Sequence, residues 1–298
     1  MTDSDLPGPE ALRAVCAQFG IDNTDAAVLL QHRSNAVWRA GATVVRLAPD
    51  TPLRRQRATA AVNLTRWLAT TGDSIALAPL PGPQPVVAAG AIATFWPYCP
   101  TPEPIDPAAL GSLLRRLHTA GEPPESARIP AYEPLRRLHE ALGIDSQRTE
   151  PALTSTDRDW ISERADDLIA TFRDTQWPLG IGVIHADAHT ENAIHNGDNW
   201  VLIDWDNTSI GPRELDLIST VPDHFHEPET YRQQFAASYG YDLLTWSGWT
   251  LLRDIVELHS IGSYIRLAAS KPAAANELRR RVDSLRTGDR SIVWHPVG

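Results

Sequence analysis

The chain has 298 residues with a formal net charge of −10, of which 42% are hydrophobic and 21% charged; these are the proportions of a soluble globular protein with one large core or two packed lobes. The acidic balance argues against a nucleic-acid-binding surface and mildly favours cationic small-molecule partners. Two cysteines, Cys16 and Cys99, offer neither metal spacing nor a disulfide framework, the N-terminus lacks a signal-peptide apolar core, and no apolar run approaches a membrane span, so a cytoplasmic protein with no membrane partner is expected.

In chain order, a first helix is predicted over 9–20, opening at Pro9. Strands follow near 26–31, 35–40 and 43–48. Between the first two lies HRSN (32–35), where Ser34 and Asn35 supply a turn with backbone N–H groups suited to phosphate, or an ordinary hairpin turn. A helix over about 53–71 carries Val62, Leu64, Trp67 and Leu68 inward. Residues 78–90 hold four prolines and read as an extended connection into the strand AIATFW. Pro97, Pro100, Pro102, Pro104 and Pro107 then mark a stiff crossover, and the backbone at Trp96–Tyr98 is the natural place for a nucleotide base. From about 106 onward the chain reads as helical apart from one hairpin; its last helix, NELRRRVDSLR, reads as a solvated face with Leu278, Val282 and Leu285 inward.

That hairpin carries the chemistry. The apolar run GIGVI (180–184) leads into HADAHTEN (185–192), where Asp187 and Asn192 stand five residues apart in a loop. The turn dipeptide Asn196-Gly197 follows, and the strand WVLID ends on Asp204. One acid to receive a hydroxyl proton, with an amide and a second acid to hold Mg2+ on nucleotide phosphates, is the layout phosphoryl transfer requires. Asp187 is therefore the candidate base, Asn192 and Asp204 the candidate metal ligands, and His189 a residue facing the γ-phosphate; His185 is read as structural. An acceptor site near Asp187 is sought in Asp223, His224, His226 and Glu227 of the loop 222–229, and in Asp254, Glu257 and His259, with Asp254 and Glu257 sharing a helix face. A remote alternative makes His185, Asp187, His189, Asp204 and Asp206 a hydrolytic metal centre.

The run HADAHTEN…LIDWDNTSIGPRELDLI resembles the aminoglycoside phosphotransferase and choline kinase-like family, with Ala186 in place of the usual glycine. The resemblance extends over nearly the whole chain, including TFWPYCP (94–100) as the hinge. It implies an α+β, bilobal, protein-kinase-like fold: a small N-terminal antiparallel-sheet lobe over 1–98, a hinge at about 95–99, and a larger, mostly helical lobe over 99–298. It also implies ATP or GTP as co-substrate, Mg2+ as cofactor, and a small hydroxylated acceptor, with aminoglycosides and amino sugars as the leading class. By the same resemblance Asp206 is a second acid that either assists metal or substrate or simply braces the loop, and Asp216 an acid bonding the loop's backbone. The chain departs from the family at the small-lobe lysine: its single lysine is Lys271, so Arg46 takes that place, and Ala61 stands where the partner glutamate is expected. Either Arg46 binds phosphate without that partner, or the chain is a catalytically silent nucleotide-binding module.

Overall fold

The computed structural model describes residues 6–22, 24–32, 35–100, 103–225 and 228–297. The first lobe consists of α1 (Pro9–Phe19), β1 (Val28–His32), β2 (Ala36–Ala40), β3 (Thr43–Pro49), α2 (Pro52–Thr70), β4 (Val86–Ala88) and β5 (Ala91–Pro97). The strands form one antiparallel sheet in the order β1-β2-β3-β5-β4. Strand periodicity divides its two faces. Val45, Leu47, Ala93 and Phe95 pack with Leu12, Val15 and Cys16 of α1, while the register sets Arg46 opposite Thr94 and Val44 opposite Trp96 on the other face. A one-residue slip would exchange the faces, so the apolar set that covers α1 also fixes where Arg46 points. The proline-rich stretch is not wholly extended: β4 pairs with β5, and Gln84 completes the edge by accepting from Phe95 N–H (2.8 Å) and donating to Leu80 C=O (2.6 Å).

α2 ties this lobe to the next. Thr51 caps it, accepting from Arg54 N–H at 3.3 Å, and Ala61, Leu64 and Leu68 enter a core shared with Ile184, Leu202 and Trp205. Ala61 is 3% exposed within that apolar cluster, which explains why no carboxylate stands there: a charge would be buried among aliphatic groups.

The second lobe contains α3 (Pro107–Thr119), α4 (Arg136–Ser146), α5 (Ser155–Asp174), β6 (Ile181–Ile184), β7 (Ala193–Asn196), β8 (Asn199–Leu202), β9 (Ser209–Pro212), α6 (Glu229–Tyr239), α7 (Trp249–Leu267) and α8 (Pro272–Thr287). β7 and β8 form the expected hairpin, with Gly197 at φ 63° in its turn. β6 and β9 add an antiparallel pair that the sequence pattern did not announce. Gly211 permits it, since a Cβ there would lie 2.8 Å from Tyr132 Cβ. The reading of the last helix needs correction at Arg281. Its guanidinium is buried, bonded to Glu277 (3.1 Å) and Tyr264 Oη (2.9 Å) and set against the rings of Tyr264 and Trp294. No helix among the described residues is long and apolar enough to cross a membrane.

Candidate active site

The loop after β6 is pinned from beneath by Asp216. Its two carboxylate oxygens accept the N–H groups of His185 (2.8 Å) and Ala186 (2.7 Å), and it pairs with buried His118 (3.0 Å), which contacts Tyr239 Oη (2.8 Å). His185 is fully buried, its Nε2 at 2.8 Å from Ile203 C=O and its ring against Trp205. These contacts freeze the backbone immediately before Asp187. Ala186 holds φ 59°, a left-handed conformation that a Cβ disfavours. Ala186→Gly is therefore expected to stabilise the fold by about 0.5–1 kcal/mol, read as a higher chemical-denaturation midpoint at unchanged m-value.

Asp187 is exposed, with Oδ2 accepting from Asn207 Nδ2 at 3.3 Å. Asn192 is buried and donates from Nδ2 to Asp187 C=O at 2.9 Å, so its Oδ1 carries no partner among the described residues. His189 lies beside both, 3.8 Å from the Asp187 carboxylate and 3.0 Å from Asn192 Nδ2. Asp204 follows β8 in the left-handed region at φ 63°, a conformation a short acid tolerates and one that aims its carboxylate at the sheet of the first lobe.

There it meets Arg46. The guanidinium bonds Asp204 Oδ1 at 2.6 Å and Asp206 Oδ2 at 3.3 Å. Burial alone would lower its pKa; the carboxylates of Asp206 and Asp204 outweigh that and hold it above the ordinary arginine value. Asp206 also accepts from Asn35 Nδ2 (2.8 Å), and Asn35 Oδ1 accepts from Arg54 (3.0 Å). The acid that pairs with Arg46 thus comes from the catalytic hairpin and not from α2, whose first turns present Arg54 and Arg57 instead. Ser34 lies outside the described residues.

The hinge places its groups differently from the simplest reading. Tyr98 N–H is bonded to Ala42 C=O (2.8 Å), and Trp96 sits opposite Val44, so both face β3; strand alternation turns Pro97 C=O and Cys99 N–H the other way. Below them Val44, Trp96, Cys99, Ile194, Val201 and Ile203 belong to an apolar cluster between the lobes. Ile194 and Ile203 escaped the sequence reading, although the alternation of the hairpin that carries Asp204 sets them on one face.

The predicted acceptor acids are not brought together at Asp187. Asp254 bonds Arg164 (2.8 Å), Arg253 (2.9 Å) and Arg290 (3.2 Å). Glu257 is buried against Arg290, with His224 at 3.9 Å, and Asp223 accepts from Phe225 N–H in its own loop (2.8 Å). Glu227 and His226 lie outside the described residues. Another face of α7 carries His259 and Arg266, which stand about 140° and 120° around the helix from Asp254, with His259 near Arg137 and Arg57. Burial first, then the charges of Arg137, Arg266 and Arg57, hold His259 down to about 4. Because this native value lies below the unfolded one of about 6.5, the unfolded chain binds the extra proton between the two, and stability falls as pH drops through that window. His259→Gln is expected to remove about 2 kcal/mol of the stability difference between pH 7 and pH 5, measured by urea unfolding at both.

A sheet lobe, a hinge, a pinned Asp loop and an Asp-bearing hairpin facing a small-lobe cation define a protein-kinase-like phosphotransferase. Residues 25–254 match the phosphotransferase enzyme family, APH, and the chain belongs to it. No curated protein sequence is significantly similar. Among solved structures, the amicoumacin kinase hAmiN, in complex with AMP-PNP, Ca2+ and amicoumacin, superposes with a TM-score of 0.67 at 13% identity, covering 91% of each chain. A choline/ethanolamine kinase family protein from Mesorhizobium loti gives 0.62 at 18% identity over 89% of each chain. Spectinomycin phosphotransferase APH(9)-Ia, with ADP and spectinomycin, gives 0.61 at 16% over 88% of each. The chain shares their fold and is, by its family, a small-molecule phosphotransferase.

Proposed function

We propose that the protein transfers the γ-phosphoryl group of ATP or GTP to a hydroxyl of a small acceptor. Asp187 accepts the hydroxyl proton as the oxygen attacks phosphorus; the bond to the β-phosphate oxygen breaks, leaving the nucleoside diphosphate and a phosphate monoester. The base lies against the apolar cluster under the hinge, bonded by Pro97 C=O and Cys99 N–H, and Arg46 meets the phosphates. The carrying observation is that Asp187 is exposed in a loop whose backbone Asp216 holds on both preceding residues, with Asn192 tied to the same loop.

The residues fit a hard cation: among the described residues the Asn192 amide oxygen has no partner, and Asp204 has one oxygen on Arg46 and its second without a partner. Magnesium, when bound there, neutralises charge on the phosphate oxygens. Among the described residues no three His, Cys, Asp or Glu side chains converge as a metal cluster, so the donor set does not suit a zinc hydrolase. Aminoglycosides and amino sugars enter an acceptor panel by analogy with the family. One contact favours a second reading, nucleotide binding without turnover: Arg46 sits 2.6 Å from the carboxylate that the metal needs.

Thermal unfolding with Mg2+ plus ATP or GTP, followed by detection of released diphosphate with each acceptor, tests both. Ligand at a hundred times its Kd stabilises by about 2.7 kcal/mol, so a Mg2+-dependent rise in Tm is expected. A rise without diphosphate from any acceptor supports the silent module, and no rise with either nucleotide overturns both.

A further inference from the structure

Beside the Asp187 loop the chain gathers arginines whose charge the nearby acids Asp187, Asp206 and Glu140 offset only in part. Arg57, in the second turn of α2, makes no hydrogen bond or ion pair among the described residues, and it stands near a helix N-terminus whose first turn holds no acid. Arg137, on α4, bonds Asn207 Oδ1 at 2.8 Å, and Asn207 in turn bonds the Asp187 carboxylate at 3.3 Å. Arg137 is therefore two hydrogen bonds from the proposed base; among the described residues no carboxylate lies within ion-pair distance of it, although Asp187 and Asp206 are near enough to favour its charge. Arg266, on α7, bonds Arg137 C=O (3.1 Å) and is loosely paired with Glu140 at 3.5 Å. The neighbouring arginines are already engaged, Arg54 through Asn35 and Arg136 through Glu133. Three cations from three helices, with His259 near them, thus lie along a chain of contacts that ends on Asp187.

We propose that the acceptor carries an oxyanion, a carboxylate or a phosphate, seated between Arg57, Arg137 and Arg266. This rests on the phosphoryl-transfer reading and names the class of acceptor it serves. Guanidinium groups donate paired N–H groups to the oxygens of planar and tetrahedral oxyanions, whereas a cationic amine has no lone pair to accept them. The mutual repulsion already expressed in these side chains supports it: burial first, then Arg137 and Arg54, hold Arg57 down to about 10, and burial followed by Arg54 and Arg266 lowers Arg137. An anion would relieve that repulsion, whereas an aminoglycoside would add to it. The acids on the far face of α7 are consumed by Arg164, Arg253 and Arg290 and supply no counter-site for a cation.

The test uses the full chain saturated with Mg2+ and a non-hydrolysable ATP analogue, so that the nucleotide's own phosphate positions are filled. Inorganic phosphate, acetate and tetramethylammonium are then titrated at constant ionic strength, with binding read by calorimetry and Tm. Phosphate or acetate is expected to bind saturably and raise Tm, the stronger of the two identifying the oxyanion; tetramethylammonium is expected to do neither. Arg57→Gln with Arg137→Gln should weaken anion binding at least tenfold and leave the nucleotide-induced Tm rise in place. Equal anion binding by the double variant, or stabilisation by tetramethylammonium alone, overturns the proposal. If the double variant instead loses the nucleotide-induced rise, these arginines serve the nucleotide and the proposal also falls. Anion binding that depends on Arg57 and Arg137 in a chain that shows no nucleotide response keeps the oxyanion site and overturns the phosphoryl-transfer reading alone.

Discussion

Asp187→Asn is expected to lower kcat by about 10²- to 10⁴-fold while nucleotide still raises Tm as in the wild type. The substitution keeps the shape of the side chain and its capacity to contact Asn207, and removes only the ability to take a proton. Asp187 is exposed, so no buried charge is left uncompensated and folding should be unaffected. The loop geometry also survives, because it is held by Asp216 through the N–H groups of His185 and Ala186 and not by Asp187 itself. Initial rates of diphosphate release, measured beside nucleotide-dependent Tm, separate chemistry from binding. Turnover within tenfold of wild type would remove Asp187 from the base role; a lost Tm response would move it to the nucleotide site instead.

The parts of this site that were legible in the sequence are those compressed into a few consecutive residues. Phosphoryl transfer needs an acid, an amide and a second acid at fixed offsets, and one loop with one hairpin supplies Asp187, Asn192 and Asp204 within eighteen positions. Apolar runs between turn signals likewise announced β1 to β3 and β5, and the buried stripe of α2 announced that helix, although β1 is exposed along most of its length and β5 is buried on both faces. What depends on distant pairing left no local trace. Asp206 lies 160 residues from Arg46, and nothing in either neighbourhood shows that it stands in for the absent helix acid. The short strands β4 and β9 exist through partners and not through propensity. The acceptor acids failed for a related reason: Asp254 and Glu257 do share a face, but helical spacing cannot say which face meets the cleft. The arginines proposed for the acceptor come from α2, α4 and α7, and such a grouping of distant helices leaves no local pattern.

Asp206→Ala is expected to destabilise the protein by about 3 kcal/mol, lowering Tm by roughly 6 °C. Asp206 gathers Arg46 (3.3 Å), Asn35 (2.8 Å) and Arg54 (4.0 Å) on one oxygen, and its removal leaves buried guanidinium charge short of a partner. Asp204 still holds Arg46, which keeps the loss at the lower end of the range for a broken buried pair. Burial pushes the Asp206 pKa up, but Arg46, the Asn35 hydrogen bond and Arg54 more than reverse it, so the native value lies below that of the unfolded chain. A depressed carboxylate stabilises above its unfolded pKa and loses that contribution as pH falls through the native one. The gap between wild type and variant should thus be full above about pH 5 and close below the ordinary carboxylate range. A cycle with Arg46→Met isolates the pair: the double variant should be less destabilised than the two single losses added, by about 1–3 kcal/mol. Simple additivity would mean that the two charges do not couple. Coupling of that size would show that a cation at position 46 and an acid at 206 form one unit, in which the catalytic hairpin supplies the acid that α2, with Ala61 in an apolar core, has no room to provide.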